Sequence, residues 1–298
     1  MNTATNARDD VPLVSVAGLQ VVLPTGERSE VRAVRRVDLI IRDGERVGVV
    51  GESGSGKSVT GRAIAGLLPT SPRVRVTGSI RVAGREMIGA PPAAWDEIRR
   101  TRVGMIFQDP LTYLNPTMRV GKQVAESIPP GREGDDAART RAVHRFLEQA
   151  GLEHPAEVAA KFPHELSGGM RQRVLIAIAI AKLPSLIIAD EPTTALDATV
   201  QQRVLKTLDA TVADLGTSLM LISHDLAVVA GMTDRIYVMY GGRVVEEGAT
   251  EQVLHEPRHA YTRALLRSVR SLTDDGVELY SIPPELRREL AEEAADAS

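Results

Sequence analysis

An apolar run, Val47 to Val50, leads directly into the octapeptide GESGSGKS at Gly51 to Ser58. A strand, a glycine-rich turn and then a helix starting at Lys57 is a combination that few folds accommodate. Gly51, Gly54 and Gly56 permit backbone conformations that a β-carbon would resist, so successive amides can converge on phosphate oxygens. The following helix adds the positive end of its dipole. Lys57 places a point charge on the terminal phosphates, and the Ser58 hydroxyl is of the type that ligates magnesium. The candidate phosphate contacts are therefore Gly51, Glu52, Ser53, Gly54, Ser55, Gly56, Lys57, Ser58 and Val59.

A second acidic signal lies downstream in LIIADEP. Asp190 closes an apolar strand, where a carboxylate can hold magnesium directly or through water. Glu191 follows at once and points elsewhere, which makes it the candidate to polarise an attacking water. Such a base contributes about 10²- to 10⁴-fold in rate. The alternative for Glu191 is a residue that merely caps the loop.

Composition narrows the classes. The chain has 298 residues, 43% apolar and 25% charged, with a formal net charge of -3. That balance suits one large or two modest globular domains and gives no sign of a bulk polyanion as partner. The local basic cluster Arg99, Arg100 and Arg102 reads as a solvated helix face. With no cysteine, a disulfide framework, a thiolate metal site and a cysteine nucleophile are all excluded. The opening MNTATNARDD has no secretion pattern, and the longest apolar stretch, Val174 to Ala181, is far too short to span a bilayer. The chain is expected to be soluble by itself, with any membrane role passing through another subunit.

Residues 1 to about 10 read as a disordered start. Leu13–Val22 and Val31–Ile41 are β-rich, and the helix after the glycine loop is expected to run to about Leu68, ended by Pro69 and Pro72. Gly78–Val82 and Val103–Phe107 read as a strand pair with a short helix, Pro92–Arg100, between them. Val120 to Leu152 changes to helical spacing, broken at Pro129–Gly131, and reads as a helical insertion in an α/β core. An apolar helix after Gly168, a strand at Leu186–Ala189, a helix at Thr199–Leu215 and a strand at Leu219–Ser223 follow. Ile236–Tyr240 and Arg243–Glu247 flank Gly241-Gly242 as a hairpin. Beyond His255 the chain turns helical and polar and ends in an acidic, alanine-rich tail.

Together these motifs resemble the ATP-binding-cassette (ABC) ATPases over about residues 12 to 250. Gln108 in MIFQDP is similar to the Q-loop glutamine, LSGGMRQR at Leu166–Arg173 to the ABC signature, Ala195-Leu196-Asp197 to the D-loop, and His224 in LISHD to the switch histidine. The resemblance implies an α/β fold with a P-loop NTPase core of ABC-ATPase type, an antiparallel β subdomain and an inserted helical subdomain at about 92–165. It also implies an ATPase domain over 11–252 and a C-terminal extension, with the acidic tail, over 253–298. ATP and Mg²⁺ are the implied ligands. Glu191, His224 and Gln108 take catalytic roles, and Ser58, Gln108 and Asp190 lie on the magnesium side. Ser167, Gly168, Gly169 and Asp197 reach nucleotide held by a second ATPase subunit. Ser167 stands where an N-cap belongs, so the signature helix offers an anion-accepting tip; taken alone, LSGGM is also an ordinary capped helix start. In relatives an aromatic residue stacks on adenine, and here that position is Leu23. Stacking elsewhere is worth about 1–3 kcal/mol per base, so nucleotide affinity or base selectivity is expected to be weaker unless a partner or a nearby arginine compensates.

GESGSGKS, FQDPLTYLNP, FPHELSGGMRQRV and HAYTRALL at His259–Leu266 further resemble the ATPase subunits of bacterial oligopeptide, dipeptide and nickel importers. Ala260 departs from the proline usual there. The absence of cysteine rules out a metal cluster of the kind many relatives carry near the C-terminus. HAYTRALL also reads as an ordinary amphipathic helix. The implied partners are an identical or homologous ATPase, transmembrane permease subunits and, indirectly, an extracytoplasmic solute-binding protein. A groove on the insertion would receive a short helix of the permease, and the chain would sit peripherally on the cytoplasmic face of the cell (inner) membrane. The competing reading is a non-transport ABC ATPase acting on nucleic acid or ribosomes. The chain shows neither the long heptads nor the tandem cassettes of those proteins, so nucleic acid is not an expected partner.

Overall fold

A computed structural model describes residues 11–26, 29–71, 74–132, 134–194 and 196–270. The readings that fall on residues 1–10, Pro72, Ala195 and the acidic tail lie outside the described residues. Two compact units emerge: one takes the chain up to Ala90 and resumes at Leu221, and the other is Pro91–Met220.

The first unit opens with β1 (Val14–Pro24), β2 (Glu30–Ile41) and β3 (Arg46–Val50), then α1 (Lys57–Ile64), β4 (Arg75–Val82) and β5 (Arg85–Glu86). β1 pairs antiparallel with both β2 and β4, and β4 pairs with β5. Alternating burial in β1 and β2 gives the sheet one core face, carrying Val14, Val16, Leu19, Val37 and Leu39. β3 has a different pattern: Val47, Gly48, Val49 and Val50 are all buried, as a strand covered on both faces requires.

Pro91–Met220 contains α2 (Pro92–Thr101), β6 (Val103–Ile106), α3 (Pro110–Tyr113), α4 (Val120–Ser127), α5 (Asp136–Gln149), α6 (Pro155–Ala160), α7 (Gly168–Ile180), β7 (Leu186–Asp190) and α8 (Ala198–Leu215). β8 (Ser218–Ser223) begins here, and its last residues belong to the first unit. β6 and β7 run parallel, with Val103 opposite Leu186 and Ile106 opposite Ala189. α4, α5 and α6 pack on one another and bury Val124, Val143, Phe146, Leu147 and Val158. The first unit then resumes with α9 (Leu226–Ala230), β9 (Arg235–Tyr240), β10 (Arg243–Ala249), α10 (Thr250–His255) and α11 (Ala260–Arg270). β9 and β10 form the expected hairpin, and β9 runs parallel to β3.

Three expectations need correction. α1 stops at Ile64, four residues before Leu68, because Gly66 takes a φ of 65° and the Leu67 N–H turns back to the Arg62 carbonyl. The left-handed glycine, not Pro69, ends the helix. The segments at 78–82 and 103–107 are both strands but not partners: β4 belongs to the antiparallel sheet with β1, and β6 pairs with β7. Their burial patterns differ accordingly, half-exposed in β4 and fully buried in β6. Finally, α11 is not polar throughout, since Tyr261, Thr262, Ala264 and Leu265 form a buried face.

Candidate functional site

In the first unit, β3 delivers the chain into the glycine loop. Gly51 has a φ of 150°, and a β-carbon there would lie 2.1 Å from the Met239 carbonyl oxygen. Gly56 has a φ of 99°, and its β-carbon would lie 2.5 Å from the Ala33 carbonyl oxygen. No other residue type fits where the loop passes this close to β2 and β9. The loop is closed by the Ser55 N–H on the Glu52 carbonyl at 3.2 Å and by the Gly242 N–H on the Ser55 carbonyl at 3.1 Å. α1 starts at Lys57 with Ser58 and Val59 half-buried in its first turn, while Ser53 and Gly54 are exposed.

Lys57 is only 4% exposed. Its ammonium donates to the carbonyls of Gly51 at 2.8 Å and Glu52 at 2.9 Å, which folds the side chain back over its own loop. Ser55 is also buried, and its Oγ has no hydrogen-bond partner. An orphaned hydroxyl buried in a loop is costly unless a ligand satisfies it. A phosphate oxygen fits that need. A hollow of about 270 Å³ beside the loop is lined by Arg35, Glu52, Ser53, Gly54, Ser55 and Tyr240, among others. His224 follows β8 on an exposed turn. Its neighbours hold that turn: the Asp225 N–H donates to Ser223 Oγ at 2.9 Å, and the Asp225 carboxylate accepts the Ala227 N–H at 2.9 Å to cap α9. Leu23 is half-buried in β1, opposite Val31 of β2.

In the second unit, β7 is buried along its length and ends at Asp190, 2% exposed. Glu191 then takes a φ of 46°. A left-handed conformation in a non-glycine residue costs on the order of 1–2 kcal/mol and clusters at functional turns. Glu191 Oε2 accepts from Thr194 Oγ1 at 2.9 Å and lies 3.4 Å from Gln108 Nε2. The parallel pairing of β6 and β7 brings this about, because Gln108 and Glu191 leave the same end of neighbouring strands. Gln172, 1% exposed on α7, donates to the Phe107 carbonyl at 3.1 Å and fixes that end of β6.

Ser167 is the N-cap of α7, its hydroxyl accepting the Met170 N–H at 3.3 Å. Ser167 and Gly168 are exposed. Gly169 is buried against α8, where a β-carbon would lie 2.4 Å from Val200 Cγ1, and a β-carbon at Gly168 would lie 3.4 Å from Leu196. Asp197 caps α8, its carboxylate accepting the Val200 N–H at 3.0 Å. The signature tip and the segment Leu196–Val200 are therefore packed together. Two residues the motifs did not single out take part in these arrangements: Thr194, two positions beyond the acidic motif, and Tyr240, at the end of the strand before Gly241-Gly242. The signal in each case was position, not residue type.

A family profile described as "ABC transporter" matches residues 34–194, more than half of the chain. The chain belongs to the ABC transporter ATPases. A second profile, "Oligopeptide/dipeptide transporter, C-terminal region", matches residues 245–294. The oligopeptide transport ATP-binding protein OppD of Bacillus subtilis is 46% identical over 256 residues, 85% of this chain and 71% of OppD. OppD of Salmonella typhimurium is 42% identical over 271 residues, covering 91% of this chain and 80% of that protein. The probable D,D-dipeptide transport ATP-binding protein DdpD of Escherichia coli is 46% identical over 260 residues, 86% and 78% of the two chains. Among solved structures, the dimeric ATP-binding cassette MJ0796 in a post-hydrolysis state with ADP and Pi matches this ABC ATPase with a TM-score of 0.69 at 29% identity, covering 80% of this chain and 98% of that one. The α/β architecture expected from the sequence is that of these cassettes, and the chain is an ATP-hydrolysing enzyme of this family.

Proposed function

We propose that this ABC ATPase is the energy-coupling subunit of an importer for peptides or a related small solute. The observation that carries this reading is the oligopeptide/dipeptide C-terminal match on the same chain as the ATPase profile. The names of its relatives support it, and none of those named above refers to nucleic acid or ribosomes.

In the proposed cycle the loop Gly51–Ser58, with Val59, cradles the ATP phosphates, Glu52 lining it without offering its amide, which is taken by Tyr261. Lys57 exchanges its loop carbonyls for the terminal phosphates, and Ser55 Oγ gains the partner it lacks. Ser58, Asp190 and Gln108 are the residues that would hold Mg²⁺ through their hard oxygens, and the ion would neutralise charge on the phosphates. Glu191 accepts a proton from the water whose oxygen attacks the γ-phosphorus as the bond to the ADP oxygen breaks. The left-handed turn and the Thr194 hydroxyl hold its carboxylate in place. His224 contacts the γ-phosphate. Ser167, Gly168 and Gly169, an exposed capped helix tip, close with Asp197 on nucleotide held by a second, identical or homologous ATPase. Separation of the pair after hydrolysis then pulls on permease subunits docked to the inserted helices, with a solute-binding protein outside the membrane.

No helix among the described residues is long and apolar enough to cross a membrane. The proposed place is peripheral, on the cytoplasmic face of the inner membrane. The test is purification from membranes with the attached subunits, followed by uptake of labelled peptides into reconstituted vesicles. Uptake that requires ATP and is lost in Lys57→Ala is the expected result. An assembled complex that hydrolyses ATP but moves no peptide would overturn the cargo assignment.

A further inference from the structure

α11, the last helix among the described residues, reaches the glycine loop. Tyr261, on the first turn of α11, is fully buried, and its hydroxyl accepts the backbone N–H of Glu52 at 2.8 Å. Its ring tilts by 46° against Tyr240, with centroids 4.6 Å apart. Tyr240 closes β9, the strand whose Met239 carbonyl leaves room only for glycine at position 51. The base of α11 is also tied down. His259 Nδ1 accepts the Tyr261 N–H at 3.1 Å, and the Glu246 carboxylate on β10 accepts the N–H groups of Arg258 at 2.7 Å and His259 at 3.0 Å.

Glu52 is thus held from both sides. Its N–H is fixed by Tyr261, and its carbonyl is one of the two that hold the Lys57 ammonium. That amide points at a tyrosine from the far end of the chain, not into the phosphate cradle. We propose that Tyr261 is a positioning residue of the nucleotide site, setting Glu52 and through it the ammonium of Lys57. The C-terminal region is then part of the ATP site and not only an appendage to it. This rests on the reading that Gly51–Ser58 binds the ATP phosphates. A buried tyrosine hydroxyl needs a partner in any case; here that partner is a backbone amide of the glycine loop, so the helix and the loop are fixed to each other at that point.

Tyr261→Phe keeps the ring against Tyr240 and removes only the hydroxyl. The effect of a single neutral hydrogen bond translates to roughly a two- to tenfold weakening. Equilibrium binding of Mg-ATP to the full chain, its KM and kcat, and the melting temperature without nucleotide are the readouts. The expected result is a Kd and KM raised by that factor with kcat changed less. Glu246→Gln, which loosens the base of α11 from a distance, should shift Kd the same way by less. An unchanged Kd and KM for Tyr261→Phe, with loss confined to the nucleotide-free melting temperature, would make the tyrosine a strut only and overturn the proposal. If Lys57→Ala binds ATP as tightly as the unaltered chain, the phosphate-loop reading fails instead, and the two failures are distinct.

Discussion

Replacing Glu191 by glutamine isolates the proton-accepting role from everything else this residue does. The left-handed backbone, φ 46°, strains glutamine no more than glutamate, so the turn persists. The glutamine carbonyl oxygen can still accept from Thr194 Oγ1, now 2.9 Å from the carboxylate. What disappears is a group able to take a proton from water. Stability should therefore change by no more than about 0.5 kcal/mol. Turnover should fall about 10²- to 10⁴-fold, which corresponds to roughly 2.7–5.4 kcal/mol of barrier. Phosphate release under saturating Mg-ATP gives the rate, and equilibrium nucleotide binding checks that the ground state survives. Light scattering with ATP should show the paired form accumulating, because nucleotide is held but not consumed. Turnover within a factor of a few of the unaltered enzyme would refute the assignment and leave Glu191 as a capping residue of the turn.

Ser167→Arg should abolish hydrolysis while the isolated chain still binds ATP, since the substitution puts a long cation on the exposed tip of α7; loss of binding by the monomer would count against a site completed by a second subunit. Gly56→Ala should cost about 2–4 kcal/mol, read by denaturant melting, and remove ATP binding, because the new β-carbon meets the Ala33 carbonyl at 2.5 Å in a backbone region alanine avoids. Lys182 donates to the Arg99 and Val103 carbonyls, and burial, with the Arg99 charge second, lowers its pKa to about 8. Between pH 8 and the unfolded value of 10.5 the unfolded chain keeps a proton that the folded one has lost, so this group makes stability rise with pH across that window. The rise should be about 2 kcal/mol from pH 8 to 10 in the unaltered chain and absent in Lys182→Met; equal slopes for the two would show that the lysine titrates normally.

Element order was legible wherever a local pattern decides it. The buried run before Gly51, the β-rich segments of β1 and β2, the cap at Ser167 and the Gly241-Gly242 hairpin are all set by residues within a few positions of each other. What escaped depends on distant chain. β4 and β6 look alike as short apolar runs, and only the fold gives one an antiparallel partner and the other a parallel one. The end of α1 was missed because a glycine with free rotation competes silently with a conspicuous proline. The left-handed backbone at Glu191 has no sequence signature, since glutamate carries no preference for it. Tyr261 was visible only as part of a subgroup motif; its partner, Glu52, lies 209 residues earlier.

Vanadate bound in place of the γ-phosphate, with ADP and Mg²⁺, cuts nearby backbone on irradiation and so reports which residues face the reacting phosphoryl group. In the membrane-assembled complex, scission should occur at two places: in the loop Gly51–Ser58 and at Ser167 of the facing subunit's signature helix. Cuts confined to the loop, with the Ser167 region intact in a complex that turns over ATP, would contradict nucleotide clamped between two chains.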